Sequence, residues 1–185
     1  MRQSPTNPQL SDEQLMGQFK GGEERAFVEL YTRYNRRVYA YCIRMLNSKE
    51  RAEDLFQEVF IRVSRKRHRF EAGSFSAWLF AIARNLCLNA LRDNVSHVDL
   101  DEVQDTLQTP ADEAEYDSSL EILRRAIEQL PPDLREPLVL RVYNGLSYQE
   151  IADMTQTKLA TVKVRIFRAK QRLHETLSPY FLDKV

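Results

Sequence analysis

Apolar residues recur at intervals of three and four along most of this sequence, and this spacing limits the folds open to the chain more than any other feature. Only five glycines interrupt its 185 residues, and several prolines gather near the N-terminus and at positions 131, 132 and 137. Because positions three and four apart lie on one face of a helix, the pattern predicts amphipathic helices throughout. We therefore expect an all-α protein.

Short breaks in the pattern divide the first half of the chain into helices. Ser11 and Gln14 have the spacing of a capping box, and Gly21 with Gly22 should end the short helix that follows. Residues 47 and 48 mark the next break, and residues 68–74 are expected to form a loop. Further helices are predicted at about residues 23–46, 52–67 and 75–92.

The second half of the chain has the same organisation from about residue 117. Ser147 and Glu150 form a second predicted capping box, which starts the short helix SYQEIADM. The turn TQTK then separates this helix from a long basic one, an order that is typical of a helix-turn-helix. Helices are predicted over SLEILRRAIEQL, LREPLVLRVYNG, SYQEIADM and LATVKVRIFRAKQRLHETL.

Charge is separated along the chain, although the formal net charge is zero. Residues 95–119 contain eight acidic side chains and neither Lys nor Arg, whereas basic runs lie at 62–69 and 158–172. The acidic stretch has no sustained apolar period, which indicates a flexible linker. We expect two small helical domains joined by it: a four-helix domain over 1–94, the linker over 95–118 and a helix-turn-helix domain over 119–185.

Residues suited to catalysis or metal binding are sparse and scattered. Cys42 and Cys87 lie inside apolar helical patterns without CxxC spacing, so buried reduced thiols are expected. The three histidines lie far apart, and we predict no metal, no cofactor and no catalytic residue, hence no enzyme. No run of about twenty apolar residues exists, and the N-terminus lacks a secretory signal core, so we expect a cytoplasmic protein without membrane insertion.

The segment AEDLFQEVFIRVSRKR, residues 52–67, has acid in its first half, base in its second and an apolar stripe through both. One explanation is a solvated face whose charges complement the helix dipole. Each such charge stabilises a helix by about 0.3–1 kcal/mol. That explanation gives no reason for Ile61, which falls beside Asp54 and Arg65 on the predicted outer face. A surface that docks on a basic protein partner accounts for both the acid and Ile61. The buried stripe should contain Ala52, Leu55, Phe56, Val59 and Val63.

Cations at the end of this segment lead into an aromatic loop, RFEAGSF, and then Trp78. Lys and Arg side chains suit phosphates, and aromatic rings suit stacking on unpaired bases. The alternative for Phe70, Phe75 and Trp78 is that the rings belong to an ordinary core, and for Trp78 we favour the core.

The last predicted helix has one apolar and one basic face. Apolar groups on the outer face can meet thymine methyls in the major groove, and Lys or Arg can meet guanine edges. The N-terminus of the preceding helix, at Ser147 and Tyr148, offers N–H groups to a phosphate, and Arg141 can reach another. A helical hairpin with a merely basic surface is the alternative. The inward residues are Val162, Ile166, Ala169 and Leu173, and the outward ones include Lys163, Val164, Phe167, Arg168 and Gln171.

Together these stretches resemble the RNA polymerase sigma factors of the sigma-70 family, in their small extracytoplasmic-function (ECF) class. The resemblance covers the chain from about Leu10 to Leu177, and its strength lies in the order of the motifs. Those motifs are AFVELYTRYNRRVYAYCIRML, AEDLFQEVF, SFSAWLFAIARNLCLNALR, LPPDLREPLVLR and GLSYQEIA. The family usually has Gly near Gln156 and a branched apolar residue near Thr157, where this chain is more polar.

The resemblance implies a protein that binds core RNA polymerase and directs it to promoter DNA for transcription initiation. From the two exposed faces of the first domain we also predict an anti-sigma factor that covers the polymerase-docking and DNA surfaces in a free pool. A stand-alone helix-turn-helix regulator that does not join polymerase is the alternative. The implied partner on polymerase is the clamp helices of the largest catalytic-side subunit. The residues of this chain implied to contact them are Glu53, Asp54, Gln57, Glu58 and Ile61. The implied contacts to the −10 element, where an extruded base is captured, are Arg62, Arg65, Lys66, Arg69, Phe70, Glu71, Ala72, Gly73, Ser74, Phe75 and Asn85. The implied contacts to the −35 element are Arg141, Ser147, Tyr148, Lys163, Val164, Phe167 and Arg168.

Overall fold

The computed structural model describes residues 10–95 and 116–182 of the chain. All regular secondary structure in these two ranges is helical, which confirms the all-α prediction. Most of the predicted linker over 95–118 lies outside the described residues, and so do residues 1–9 and 183–185. Two helical domains, each of four α-helices, are seen, while the domain boundaries drawn from the sequence stay predictions.

The first unit is built on a long central helix with shorter helices packed around it. A single 3-10 turn over Arg67–Arg69 and an irregular loop connect its last two helices. The helices are α1 (Asp12–Lys20), α2 (Glu24–Leu46), α3 (Lys49–Arg65) and α4 (Phe75–Val95).

The second unit ends in the longest of the described helices, which follows a short helix and a turn in the order predicted for the helix-turn-helix. Pro132 occupies the first turn of its second helix, where a missing N–H is tolerated. The helices are α5 (Tyr116–Glu128), α6 (Pro132–Val142), α7 (Tyr148–Thr155) and α8 (Leu159–Leu182).

Both predicted capping boxes are present. The Ser11 hydroxyl accepts from the Gln14 amide at 3.2 Å, and the Gln14 side chain accepts from the Ser11 amide at 2.8 Å. Ser147 and Glu150 make the same reciprocal pair, at 3.1 and 2.7 Å. These hydrogen bonds satisfy amides that a helix cannot pair internally, so the sequence determines where α1 and α7 begin.

Large apolar side chains from all four helices fill the centre of the first unit. Phe19 of α1, Tyr41 of α2 and Phe80 of α4 are each fully buried, and the Tyr41 and Phe80 rings meet edge to face at 5.6 Å. Cys42 and Cys87 are buried free thiols, as predicted. Contact with Cys42 and burial together raise the pKa of Cys87, so its thiol stays protonated.

The two units pack against each other through polar contacts as well as a continuous apolar core. Arg84 on α4 donates to Glu136 on α6 through two nitrogens, at 2.8 and 3.4 Å. These side chains are only 19% and 12% exposed. Arg37 on α2 also donates to the carbonyl oxygen of Asn144, just after α6. The sequence pattern does not predict this interface.

Further contacts also join the two units. The Arg44 guanidinium stacks 4.0 Å from the centre of the Tyr143 ring, and Arg135 donates to the Arg44 carbonyl at 3.2 Å. Burial lowers the pKa of Arg135. Arg37, Arg44, Arg84 and Arg135 thus all make contacts between the two units.

Candidate protein and nucleic-acid interfaces

The outer face of α3 carries acid and exposed apolar surface together. Glu53, Asp54 and Gln57 are exposed, and Ile61 is 43% exposed. Ala52, Val59 and Val63 of the predicted stripe are fully buried, while Leu55 and Phe56 are half-buried. The predicted inward and outward faces are therefore correct.

Glu58 differs from its neighbours because it already has a cationic partner on the same helix. Its carboxylate accepts from Arg62 Nε at 2.6 Å. The family resemblance implies different partners for these two residues, polymerase for Glu58 and DNA for Arg62. A partner of either side chain would bind next to this ion pair, through the second carboxylate oxygen of Glu58 or the Nη groups of Arg62.

An open groove of about 380 Å³ runs along α2 and α3 next to these acids. Its floor is aromatic: the rings of Tyr31 and Phe60 lie 4.8 Å apart, edge to face. Val28 on α2, 60% exposed, adds to the apolar surface of this region. A protein partner with apolar side chains fits this surface, because burying exposed apolar area stabilises association. The groove is lined by Phe27, Tyr31, Phe56, Gln57, Phe60, Ile61 and Ser64.

The loop after α3 is exposed at its centre and buried at its ends. Glu71, Ala72 and Gly73 are exposed, and Gly73 takes a φ of 97° that favours glycine. Phe70 and Phe75 are 6% and 1% exposed. Their rings pack with Trp78, at 5.5 Å from Phe70 and 6.1 Å from Phe75. The rings therefore belong to the core, as in the alternative interpretation, and the idea that they stack on bases does not fit this structure.

The predicted −10 cations surround the loop unevenly. Arg65 and Arg69 are exposed, and Lys66 is half-buried. Arg67, from the same basic run, is directed inward, with its guanidinium 5.2 Å from the centre of the Phe19 ring. Asn85 is exposed on α4, ten residues after Phe75, which is about 15 Å along a helix. The structure therefore brings the cations close to the loop but not Asn85.

Helix α1 fastens this loop at both ends, which the sequence analysis missed. Lys20 Nζ donates to the Phe70 carbonyl at 2.6 Å, and the Phe75 amide donates to Glu13 Oε1 at 3.2 Å. Helical spacing predicts only that positions 13, 17 and 20 lie on one side of α1. It does not predict which residues they contact.

The outer face of α8 has the composition predicted for a major-groove surface. Val162, Ile166 and Ala169 are buried against the second unit, and Leu173 is half-buried. Lys163, Arg168 and Gln171 are exposed beside two apolar side chains, Val164 at 47% and Phe167 at 61%. The division into inward and outward residues is confirmed.

The N-terminus of α7 has fewer free amides than the sequence suggested. Ser147 and Glu150 use their amides in the capping box, which leaves those of Tyr148 and Gln149 for a phosphate. Burial opposes ionisation of Glu150, yet hydrogen bonds from Ser147 and the Ser74 hydroxyl outweigh it and lower the Glu150 pKa. This carboxylate places a negative charge at the start of α7, beside the first unit.

Arg141 is held in place by its own unit. Its Nη1 donates to the Leu146 carbonyl at 3.0 Å, and the guanidinium stacks 4.9 Å from the Tyr148 ring centre. Arg141 therefore braces the turn before α7, and only its remaining N–H groups are open to DNA.

Residues 10–95 and 116–182 contain neither a metal cluster nor a helix that could span a membrane. Within these ranges no cluster of three His, Cys, Asp or Glu residues could hold a metal ion. Nor does any helix there combine the length and hydrophobicity needed to cross a bilayer.

Comparison with known families assigns each unit separately. Residues 30–96 match the family Sigma-70 region 2, and residues 120–173 match Sigma-70, region 4. The ECF RNA polymerase sigma-E factor of Escherichia coli K12 is 33% identical, over 92% of this chain and 96% of that protein. This chain belongs to the ECF class of the sigma-70 family.

The ECF sigma factor described here is thus a non-enzymatic subunit that directs RNA polymerase to promoters. It is also similar to the RNA polymerase sigma factor CarQ of Myxococcus xanthus, with 36% identity over 91% of this chain and 98% of that one. Among solved structures it resembles the sigma factor RpoE of Bartonella quintana, crystallised in complex with the anti-sigma factor NepR. That match has a TM-score of 0.72 and 29% identity, and it covers 82% of this chain and 96% of RpoE.

Proposed function

We propose that this ECF sigma factor binds core RNA polymerase through α3 and reads promoter DNA with two separate surfaces. The loop at 70–75 would contact the −10 element, and the outer face of α8 the −35 element. One observation carries the proposal: the two exposed faces have opposite chemistry. Exposed Glu53 and Asp54 lie on the first half of α3, about two turns before Ile61, whereas Lys163 and Arg168 flank Phe167 on α8. A basic protein suits the first face and a polyanion suits the second.

The polymerase surface combines Glu53, Asp54, Gln57, Glu58 and Ile61 with the adjoining aromatic groove. By family resemblance its partner is the clamp helices of the largest polymerase subunit. The acids would steer a basic partner, and burial of the groove would supply most of the affinity. Asp54 is the best single probe, because it is exposed while Glu58 is paired with Arg62.

The −10 surface consists of the exposed loop and the cations that flank it. Arg62, Arg65, Lys66 and Arg69 would hold the strand backbone. Because the loop rings are buried, an unpaired base would meet the exposed residues 71–73, half-buried Ser74 and the backbone. Asn85 would contact a more distant part of the strand.

The −35 surface is the outer face of α8, supported by Arg141, Ser147 and Tyr148 on the DNA backbone. Lys163 and Arg168 would contact base edges, and Val164 with Phe167 would meet thymine methyls. The two free amides at the start of α7 would bind one phosphate.

The test is binding of the purified protein to bacterial core RNA polymerase, with wild type beside Asp54→Arg. The reversal puts a cation against a basic partner, so we expect affinity to fall by at least about tenfold while helix content stays unchanged.

Glu175→Arg is the matched control, because it makes the same charge change at an exposed position on α8. It should bind polymerase like the wild type. Equal weakening by both variants would indicate a general charge effect and would contradict the α3 assignment.

We also infer that an anti-sigma factor covers these surfaces in a cytoplasmic pool of the free protein. The support is that RpoE of Bartonella quintana, which this chain resembles, was crystallised with one. Co-purification with the products of neighbouring genes checks the idea. If every co-purified product leaves polymerase binding intact, the inference is wrong.

A further inference from the structure

Helix α1 has no part in the function proposed above, although it holds both ends of the proposed −10 loop. Lys20 Nζ donates to the carbonyl oxygen of Phe70 at 2.6 Å. Glu13 Oε1 accepts from the amide of Phe75 at 3.2 Å. The match to Sigma-70 region 2 begins at residue 30, so α1 lies outside it. The family match therefore assigns neither contact a role.

Each contact places a charge beside a backbone group at the end of a helical segment. Phe75 is the first residue of α4, and the first amides of a helix have no acceptor within it. Glu13 supplies an acceptor there, and a negative charge is favoured at a helix N-terminus. Phe70 follows the 3-10 turn, and its carbonyl accepts from the ammonium group of Lys20, which makes a stronger hydrogen bond than a neutral donor. Glu13 and Lys20 thus match in sign the backbone groups that they hold.

Helix α1 also fixes the distance between the two contacts. Glu13 and Lys20 are seven residues, or about two turns, apart, so they lie on one face with about 10 Å between them along the helix axis. Asp12 anchors the helix, because its carboxylate accepts from Arg33 Nη1 at 2.7 Å. The loop therefore joins two fixed points on one rigid element, while residues 71–73 between them stay exposed.

The centre of the loop contains a residue that is costly to order. Gly73 has a φ of 97°, and glycine loses more backbone freedom on ordering than any other residue. Fastening the two ends of a loop restricts the conformations that its centre can reach. Part of the ordering cost is then met when the protein folds, and less of it remains when a ligand binds.

We propose that Glu13 and Lys20 are positioning residues that determine the conformation of the loop, and thereby how strongly and how selectively it contacts the −10 strand. This role rests on the −10 function proposed above and requires no contact between α1 and DNA. A loop that samples several conformations binds only with its competent fraction, which lowers the apparent affinity. Without the two contacts the loop should also accept other bases more readily, because its conformation is less restricted.

The test compares variants that remove each contact with variants that keep it. Lys20→Met and Glu13→Met retain a side chain of similar length but lose the donor and the acceptor. With either variant, holoenzyme assembled with core RNA polymerase should lose roughly 2- to 10-fold in affinity for the −10 single strand, the usual contribution of one hydrogen bond. Lys20→Arg keeps a charged donor and Glu13→Gln keeps an acceptor oxygen, so both should bind nearly as well as the wild type.

The probe is the non-template −10 strand of a promoter that wild-type holoenzyme selects from a randomised DNA library. Each position is replaced in turn by the other three bases. With Glu13→Met and Lys20→Met combined, discrimination should fall at the one or two positions that the loop contacts and stay unchanged elsewhere. Polymerase binding should match the wild type, because α3 is unaltered. Equal weakening at every position would show that α1 supports the domain as a whole, and would overturn the positioning role.

Two further pairs of substitutions separate the possible outcomes. Lys49→Met with Glu175→Met makes the same chemical changes at exposed positions away from the loop and should behave like the wild type. Arg65→Ala with Arg69→Ala should weaken strand binding whether or not α1 positions the loop. If the arginine pair weakens binding while the α1 variants bind and discriminate like the wild type, the positioning role is overturned and the −10 function stands. If neither has an effect, both are overturned.

Discussion

Gln156 connects α7 to α8 with φ 53° and ψ 41°, a left-handed conformation that costs a residue with a Cβ about 1–2 kcal/mol. Its amide closes the helix by donating to backbone carbonyls of α7. Asn47, which ends α2 with φ 51°, is better suited to this region because Asn tolerates it. The polar turn noted in the sequence therefore has a conformational cost at one identifiable residue.

We expect Gln156→Gly to raise the free energy of unfolding by about 0.5–1 kcal/mol, because glycine relieves the strain but loses more backbone entropy on folding. Urea denaturation of the full chain measures the change. Gln156→Ala keeps the Cβ and should give no gain. Stabilisation by alanine as well would show that the glutamine side chain, and not the backbone, is responsible.

The residues that the sequence predicted best are those whose role is local. The capping boxes at Ser11 and Ser147 depend on residues three apart, and both are present. The role of the aromatic loop was harder to predict. The sequence pattern cannot distinguish a ring that stacks on bases from one that packs on Trp78. The contacts of Lys20 and Glu13 join positions 50 and 62 residues apart, which no local pattern reports.

At the scale of elements, helix bounds followed from periodicity to within a few residues. The second helix was expected at 23–46 and runs over Glu24–Leu46, and the last extends five residues past the predicted segment, to Leu182. Pro179 lies inside α8, where a proline usually ends a helix.

Helix α8 presents its outer residues as one rigid surface, so we expect Lys163→Ala or Arg168→Ala to impair use of the −35 element. The loss should be about 1–3 kcal/mol if the side chain makes a bidentate base contact. Holoenzyme binding to promoters with intact or scrambled −35 sequence measures it, since the variants should discriminate less between the two.

Arg125→Ala is the control, because it removes an exposed cation from α5 in the same domain. It should keep both polymerase binding and discrimination. If Arg125→Ala reduces discrimination as much as Arg168→Ala, the loss reflects general charge and not a base contact.

At the scale of the whole molecule, the interface between the two units is the main feature that sequence reasoning could not supply. Arg84 and Glu136 are 52 residues apart and belong to different family regions. The available signal was the single charged residue of the apolar segment LFAIARNLC and the three charged residues of LREPLVLR, which cannot say which charges meet.

We expect Glu136→Ala to loosen the contact between the units, because it leaves the Arg84 charge partly buried without its partner. Small-angle X-ray scattering of the free chain should show a larger radius of gyration. The exchanged pair, Arg84→Glu with Glu136→Arg, should restore the wild-type value at least in part. If the radius stays constant in Glu136→Ala, the ion pair does not hold the units together.

Helix α4, which begins where the proposed −10 loop ends, packs against α7 in the unit proposed to read −35. On straight duplex DNA, elements centred 25 base pairs apart are separated by about 85 Å. A molecule whose reading surfaces touch cannot span that distance, so only the opened fraction of molecules can occupy a promoter. If about one molecule in a hundred is open, apparent promoter affinity is about a hundredfold below the intrinsic value. If the two surfaces read the promoter as proposed, the arginines at the interface would set the fraction of the protein that is competent to bind it.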